Sequence, residues 1–148
     1  MDIKKEIIVF ILNDNNQVLL QKRSTNKKYY PNKWSVLSGH IEEFDVSFED
    51  AAVREIKEEL GIDILKDYLI KIGQKEKILN DNSKHITYFY YTKINKNETE
   101  FIIQKEELSE VKWYDINEVI DMVTNKNEEL LITDKMFEVL KEIKKNKI

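Results

Sequence analysis

The chain has 148 residues, 41% of them hydrophobic, with 24 Lys and Arg against 28 Asp and Glu for a formal charge of −4. That length fits one domain with a sizeable core, and the mildly acidic balance argues against a protein built to grip a nucleic-acid polymer. With no cysteine, two distant histidines (His40 and His85) and three scattered glycines (Gly39, Gly61 and Gly73), thiol chemistry, a paired-histidine metalloprotease helix and a glycine-rich phosphate loop are all excluded.

Residues 6–12 (EIIVFIL) and 17–22 (QVLLQK) read as apolar strands. Asn13-Asp14-Asn15-Asn16 between them is turn chemistry, because Asn and Asp tolerate left-handed backbone and bond their own chain, so a hairpin is predicted. A polar stretch from Arg23 to Lys33 holds the sole proline, Pro31, and leads into Trp34–Ser38, a short strand ending at Gly39. Residues Ser47–Leu60 predict a helix. Ser47 is placed to cap it with Asp50 three residues on, Ala52, Val53, Ile56 and Leu60 form an apolar stripe, and Gly61 stands at the left-handed end.

Further strands are predicted at 68–72, 85–94 and 110–114, the first two separated by polar Lys75–Lys84. Two helices follow, from Asp115 to Val123 and from Thr133 to Lys145; in the second, Thr133 caps and Met136, Leu140 and Ile143 share a face. Strands mixed with a few helices, without repeats or a linker, predict one α/β domain with a mixed sheet over residues 1–148. No apolar run approaches the ~20 residues of a spanning helix. The opening MDIKKEIIVFILND turns polar too soon for a signal peptide, so a soluble, cytoplasmic protein with no membrane partner is expected.

Chemistry then falls to carboxylates, hydroxyls, lysine or a metal held by oxygen, which points to hard cations such as Mg²⁺ or Mn²⁺. In Arg54-Glu55-Ile56-Lys57-Glu58-Glu59-Leu60-Gly61, the helical period puts Glu55, Glu58 and Glu59 on one face, while Val53, Ile56 and Leu60 point elsewhere. Like charges so spaced each cost a few tenths of a kcal/mol. A divalent cation would turn that repulsion into binding; a solvated acidic face on an ordinary amphipathic helix is the plainer alternative.

The stretch Gly39-His40-Ile41-Glu42-Glu43-Phe44-Asp45 followed by Arg54-Glu55-Ile56-Lys57-Glu58-Glu59-Leu60-Gly61-Ile62 resembles the Nudix box. That signature is a glycine, a spacer, an acid, a second spacer, then Arg-Glu-apolar-any-Glu-Glu-any-Gly-apolar, and all nine positions from Arg54 to Ile62 match. The segment between Gly39 and Arg54 is one residue longer than the family's. Counted forward from Gly39 the acid falls on Asp45; counted back from Arg54 it falls on Val46. The usual second glycine of the loop is missing. The resemblance covers most of the chain, through the opening hairpin, the approach from Pro31 to Trp34, the aromatic strand and Glu107-Leu108-Ser109-Glu110-Val111-Lys112-Trp113. Gln21-Lys22-Arg23-Ser24, Lys28, Pro31-Asn32-Lys33-Trp34 and Ser38-Gly39-His40 are similar to the branch akin to isopentenyl-diphosphate isomerase. That isomerase relies on a cysteine, which this chain lacks, so the isomerase activity itself is rejected.

The resemblance implies a Nudix-like α/β/α sandwich that hydrolyses a diphosphate linkage in a nucleoside diphosphate joined to another moiety. It implies Mg²⁺ (or Mn²⁺) held by Glu55, Glu58, Glu59 and the Gly39 carbonyl. Arg54 is expected to orient a glutamate, and Glu55 is the first candidate for the base, with Glu107 the second. Glu106 and Glu107 stand where some Nudix enzymes place a further acidic ligand, although Lys105-Glu106-Glu107 also reads as a solvated charge run. Lys22 and Arg23 are candidate phosphate contacts. Trp34, Tyr88 and Tyr90 are candidates to stack on a base, with core packing the alternative; His40 is given no role. Selectivity is expected from the loops around 23–33 and 75–84. The resemblance implies a small nucleoside diphosphate derivative as partner, and a homodimer would be common in such a family. A non-catalytic Nudix module that binds a nucleotide or a protein is the rival function.

Overall fold

The first strand is apolar on both of its faces, and the sheet is arranged to bury both. The structure, a computed structural model, describes residues 2–146. The ends of the expected 1–148 span, residues 1, 147 and 148, lie outside the described residues. Strand β1 (Ile3–Leu12) turns through 13–16 into β2 (Gln17–Arg23). The Asn13 side chain accepts from the backbone N–H of Asn15 (3.0 Å) and Gln17 (3.1 Å), and Asn16 takes φ 60, as turn residues that tolerate left-handed backbone should.

Two short strands follow, β3 (Trp34–Ser35) and β4 (Leu37–His40), then helix α1 (Phe48–Leu60). Strands β5 (Ile70–Ile78), β6 (Lys84–Lys93) and β7 (Leu108–Asp115) precede helices α2 (Ile116–Thr124) and α3 (Asp134–Asn146). The seven strands form one mixed sheet in the order β3-β2-β1-β6-β5, with β4 added to β1 and β7 to β2. The long parallel ladder joins β1 to β6, from Ile3 opposite Lys84 to Leu12 opposite Lys93.

Period-2 alternation assigns each face its layer. Ile7, Val9, Ile11 and Leu19 pack with Ile86, Tyr88 and Tyr90 against Ala52, Ile56 and Leu60 of α1. Ile8, Phe10, Leu12, Val18 and Leu20 pack with Phe89 against Val119 of α2 and Met136, Val139, Leu140 and Ile143 of α3. The result is the expected α/β/α sandwich with a mixed sheet. Among the described residues, no helix is long and apolar enough to cross a membrane.

Two elements differ from expectation. The strand predicted at Trp34–Ser38 is split at Val36, and Gly39 lies inside β4, opposite Ile7, rather than ending a strand. The polar stretch from Lys75 to Ile78 belongs to β5, which starts at Ile70, while Tyr68 closes a 3-10 turn. Among the described residues β5 pairs only with β6, and it is exposed along most of its length, so no apolar alternation marks it in the sequence.

Candidate active site

Helix α1 is fixed at both ends by its own sequence. The Ser47 hydroxyl accepts from the Asp50 N–H (3.1 Å), and Gly61 turns left-handed at φ 71 with its N–H on the Lys57 carbonyl (2.9 Å). A side chain on Gly61 would also strike the next segment, since a Cβ there would stand 2.8 Å from that of Ile102. Through that gap residues 101–108 close on the helix: the Ile102 N–H bonds the Leu60 carbonyl (2.9 Å) and the Gln104 N–H the Glu59 carbonyl (3.1 Å). Gly39 gives the same close approach on the other side, because a Cβ there would lie 2.4 Å from Cδ of Glu55.

These approaches leave a cavity of about 410 Å³ lined by Glu55, Glu58 and Glu59 of α1, by Ser38, Gly39 and His40 of β4, and by Glu6, Arg23, Lys27, Glu42, Gln104 and Glu107. Arg54 ties the acidic face together. Its Nε and Nη2 meet the two oxygens of Asp45 in a fork (3.0 Å each), and Nη2 also donates to the His40 carbonyl (3.0 Å). Its Nη1 reaches Glu55 (2.8 Å) and Glu58 (3.2 Å). The Arg54 hydrogen bond holds the Asp45 carboxyl below the usual carboxylate range. Asp45 is therefore the acid paired to Arg54, and Val46, 91% exposed, is not. The extra residue is absorbed in the loop without moving the arginine from the carboxylates.

Glu59 is the one charged residue among the buried described residues, 7% exposed, and its Oε2 has no hydrogen-bond partner. Burial, then the neighbouring Glu55 charge and a hydrogen bond shared with Glu55, push its pKa up to about 9; Glu107 adds to the rise and Lys27 opposes it. Glu55 is raised as well, by burial, with Arg54 pulling it the other way. Among the described residues, no three acidic or histidine side chains stand ready around one cation position. Arg54 accounts for this, since its Nη1 lies between Glu55 and Glu58. The donor set nevertheless fits a hard divalent cation: carboxylate oxygens, one of them buried and orphaned, with burial first and the Glu55 charge second favouring a proton on Glu59.

The sequence-derived candidates divide. Arg23 lines the cavity, and its Nε donates to the Tyr29 carbonyl (3.1 Å). Lys22 and Trp34 are not brought there, contrary to the expected substrate contacts. They face each other across the β2–β3 ladder on the opposite side of the sheet, Lys22 Nζ lying 6.0 Å from the Trp34 ring and Trp34 packed in the α2–α3 layer. Alternation along β2 allows only one of two consecutive cations to face the site. Glu107 lines the cavity and pairs with Lys27, whereas Glu106 is exposed. Tyr88 stacks on Phe48 (centroids 3.9 Å apart), and the buried Tyr90 donates its hydroxyl hydrogen bond to Glu49, so both belong to the core. The residues that sequence reasoning missed are Glu6, Lys27, Glu42, Gln104 and Gln21. Only Gln21 carried a signal, as a polar residue facing the same way as Arg23.

A family description, the NUDIX domain, matches residues 3–137, and the chain belongs to the Nudix family. Relatives of the chain carry the name Nudix hydrolase, enzymes that act on pyrophosphate bonds and generally use divalent metals. The chain is 38% identical over 105 residues to Nudix hydrolase 3 of Arabidopsis thaliana, covering 66% of this chain and 14% of that protein. It is 38% identical over 65 residues to a prenyl-diphosphate phosphatase of Methanosarcina mazei, covering 43% of this chain and 37% of that one. The crystal structure of a MutT protein from Methanosarcina mazei superposes with a TM-score of 0.73 at 20% identity, covering 99% and 96% of the two chains, and shares the fold. The chain spans about half or less of the length of the curated relatives it matches first.

Proposed function

We infer that this chain acts as a single Nudix domain over 1–148 that hydrolyses a diphosphate linkage in a nucleoside diphosphate joined to a second moiety. Glu55, Glu58, Glu59 and the Gly39 carbonyl would hold Mg²⁺ or Mn²⁺. The observation that carries the reading is Glu59, a buried carboxylate with an orphaned oxygen on the wall of a cavity of about 410 Å³. That volume is within the ~300–1,000 Å³ of small-molecule sites. A divalent cation there would supply positive charge against the phosphate oxygens and lower the pKa of water.

The chain's own residues do the remaining work. Arg54, anchored by Asp45 and the His40 carbonyl, is a positioning residue for Glu55 and Glu58. Glu55 is the first candidate to take the proton of the attacking water, and Glu107, on the same cavity, is the second. Arg23 and Lys27 bring positive charge to a wall that carries six glutamates, which suits the phosphate oxygens farther from the cation. The reading places the protein in the cytoplasm with a small-molecule substrate, not a nucleic-acid polymer, and allows a homodimer, which light scattering would detect.

The test is a phosphate-release assay, coupled to a phosphatase, with Mg²⁺ and a panel of nucleoside diphosphate derivatives plus one prenyl diphosphate. Hydrolysis of a nucleoside derivative is expected, and it should fall by about a thousandfold in Glu58→Gln and Glu59→Gln while circular dichroism stays unchanged. Turnover of the prenyl compound alone would remove the nucleoside from the proposal. No turnover of any compound would favour a non-catalytic binding module.

A further inference from the structure

Behind the carboxylate wall lies a second, more enclosed chamber of about 90 Å³. Gln21 and Ser35, paired across the β2–β3 ladder, face into it, and Glu59 and Glu107 line it from the site side. Gln21 is 4% exposed, and its Nε2 has no hydrogen-bond partner, the counterpart of the orphaned Oε2 on Glu59. A buried donor left unmade costs about 1–3 kcal/mol, and here a donor and an acceptor are left unmade around one polar void. The void is far below the ~300 Å³ at which small-molecule sites begin, but it has room for a few waters at ~30 Å³ each.

We propose that water held in this chamber joins the Gln21 amide to Glu59 Oε2, and that Gln21 is thereby a positioning residue for the carboxylate that receives the divalent cation. The water accepts a hydrogen bond from Gln21 Nε2 and donates one to Glu59 Oε2, so both orphaned atoms are satisfied by one bridge. The ligand of the chamber is water, and the consequence is a fixed orientation for Glu59 before any cation arrives. This rests on the metal reading of the carboxylate cavity given above. Gln21 touches neither the cation position nor the substrate in this scheme; it acts through Glu59.

The experiment is Mn²⁺ binding to the full chain without substrate, by calorimetry and electron paramagnetic resonance, for wild type, Gln21→Leu, Gln21→Asn and Glu59→Gln. An outer-shell partner of a metal ligand is typically worth 10–100-fold in affinity, so Gln21→Leu should weaken Mn²⁺ binding by about tenfold or more. Gln21→Asn keeps the amide, with a further water filling the gap, and should stay within about threefold of wild type by the same bridge. Circular dichroism of Gln21→Leu should match wild type at the assay temperature, so that a loss of Mn²⁺ affinity is not a loss of fold. A high-resolution crystal structure of the wild-type chain should show water within hydrogen-bonding distance of both Gln21 Nε2 and Glu59 Oε2. Wild-type Mn²⁺ affinity in Gln21→Leu, or a dry chamber, overturns the inference and leaves the metal reading standing. A wild-type chain that binds no Mn²⁺ overturns the metal reading and this inference with it, a distinct result.

Discussion

On the α2–α3 side of the sheet, Trp34, Val36, Val119, Met136, Leu140 and Ile143 close over Phe10, Leu12 and Leu20 with no charged side chain among them. On the α1 side, an equally apolar patch of Ile7, Val9, Ile56 and Leu60 gives way at one end to Glu59, with Gln21 and Glu55 beside it and Arg54 bound to Glu55. The same strands supply both faces, so the difference lies in which residues alternation sends to each. One face is satisfied by burial alone. The other stores unfavourable burial and like-charge repulsion that a bound cation would relieve, which is how a site is kept ready at the expense of stability.

The sharpest way to separate the faces is Glu59→Gln. Metal-assisted charge stabilisation is worth several kcal/mol, so turnover should fall by about a thousandfold in a steady-state assay. The same variant should be more stable than wild type at pH 8 without metal. In the folded chain Glu59 keeps its proton to about pH 9, whereas its ordinary value is 4.5, so between those values the folded state holds the extra proton and stability falls as pH rises. Thermal melts of metal-free wild type from pH 5 to 9 should slope downward, and Glu59→Gln should flatten that slope. Equal slopes would show that Glu59 is not the group storing the repulsion.

On the opposite face Leu140→Ala, at a side chain 1% exposed, should cost about 2–5 kcal/mol in urea unfolding while leaving KM unchanged at temperatures where the variant is folded. A changed KM would mean that the two layers are coupled through the sheet. Asp45→Asn comes next, with a loss of about 1.5–3 kcal/mol expected for its charge-assisted bonds to Arg54. Because Arg54 holds the Asp45 pKa below its ordinary 3.8, that contribution is fully present above 3.8 and disappears as pH falls through the lower folded value. Acid titration of the variant should lack this step. The smallest effect belongs to Lys57→Ala. Its partner Asp63 lies across an exposed pair at 3.1 Å, and less than about 0.5 kcal/mol should be lost.

Much of this was legible in the chain. The turn at 13–16, the Ser47 cap, the Gly61 stop and the three-glutamate face are local signals, each enforced by residues within a few positions. What the sequence could not display were properties set at a distance. The extent of β5 is invisible because an exposed edge strand needs no apolar alternation. Lys22, as Arg23's neighbour, and Trp34, as an aromatic able to stack on a base, looked like site residues, but the strand pleat turns them to the other face. Whether Asp45 or Val46 served Arg54 depended on how a loop closes in space. Lys27 and Gln104 reach the cavity through contacts with Glu107 and Glu59, and Gln21 faces a chamber whose other wall comes from α1 and the approach to β7.

The parallel ladder from Ile3 opposite Lys84 to Leu12 opposite Lys93 also dictates when the chain can acquire its shape. The central strand must wait, unpaired on that side, until the tenth of its partners has left the ribosome, by which time the whole box helix has already emerged. Such distant pairing slows folding, and a nascent chain stalled after Ile62 would carry every signature residue yet expose the apolar β1 edge. The chaperone demand of this protein should therefore peak between synthesis of the helix and synthesis of β6, and a fragment ending at residue 62 should aggregate instead of binding a cation.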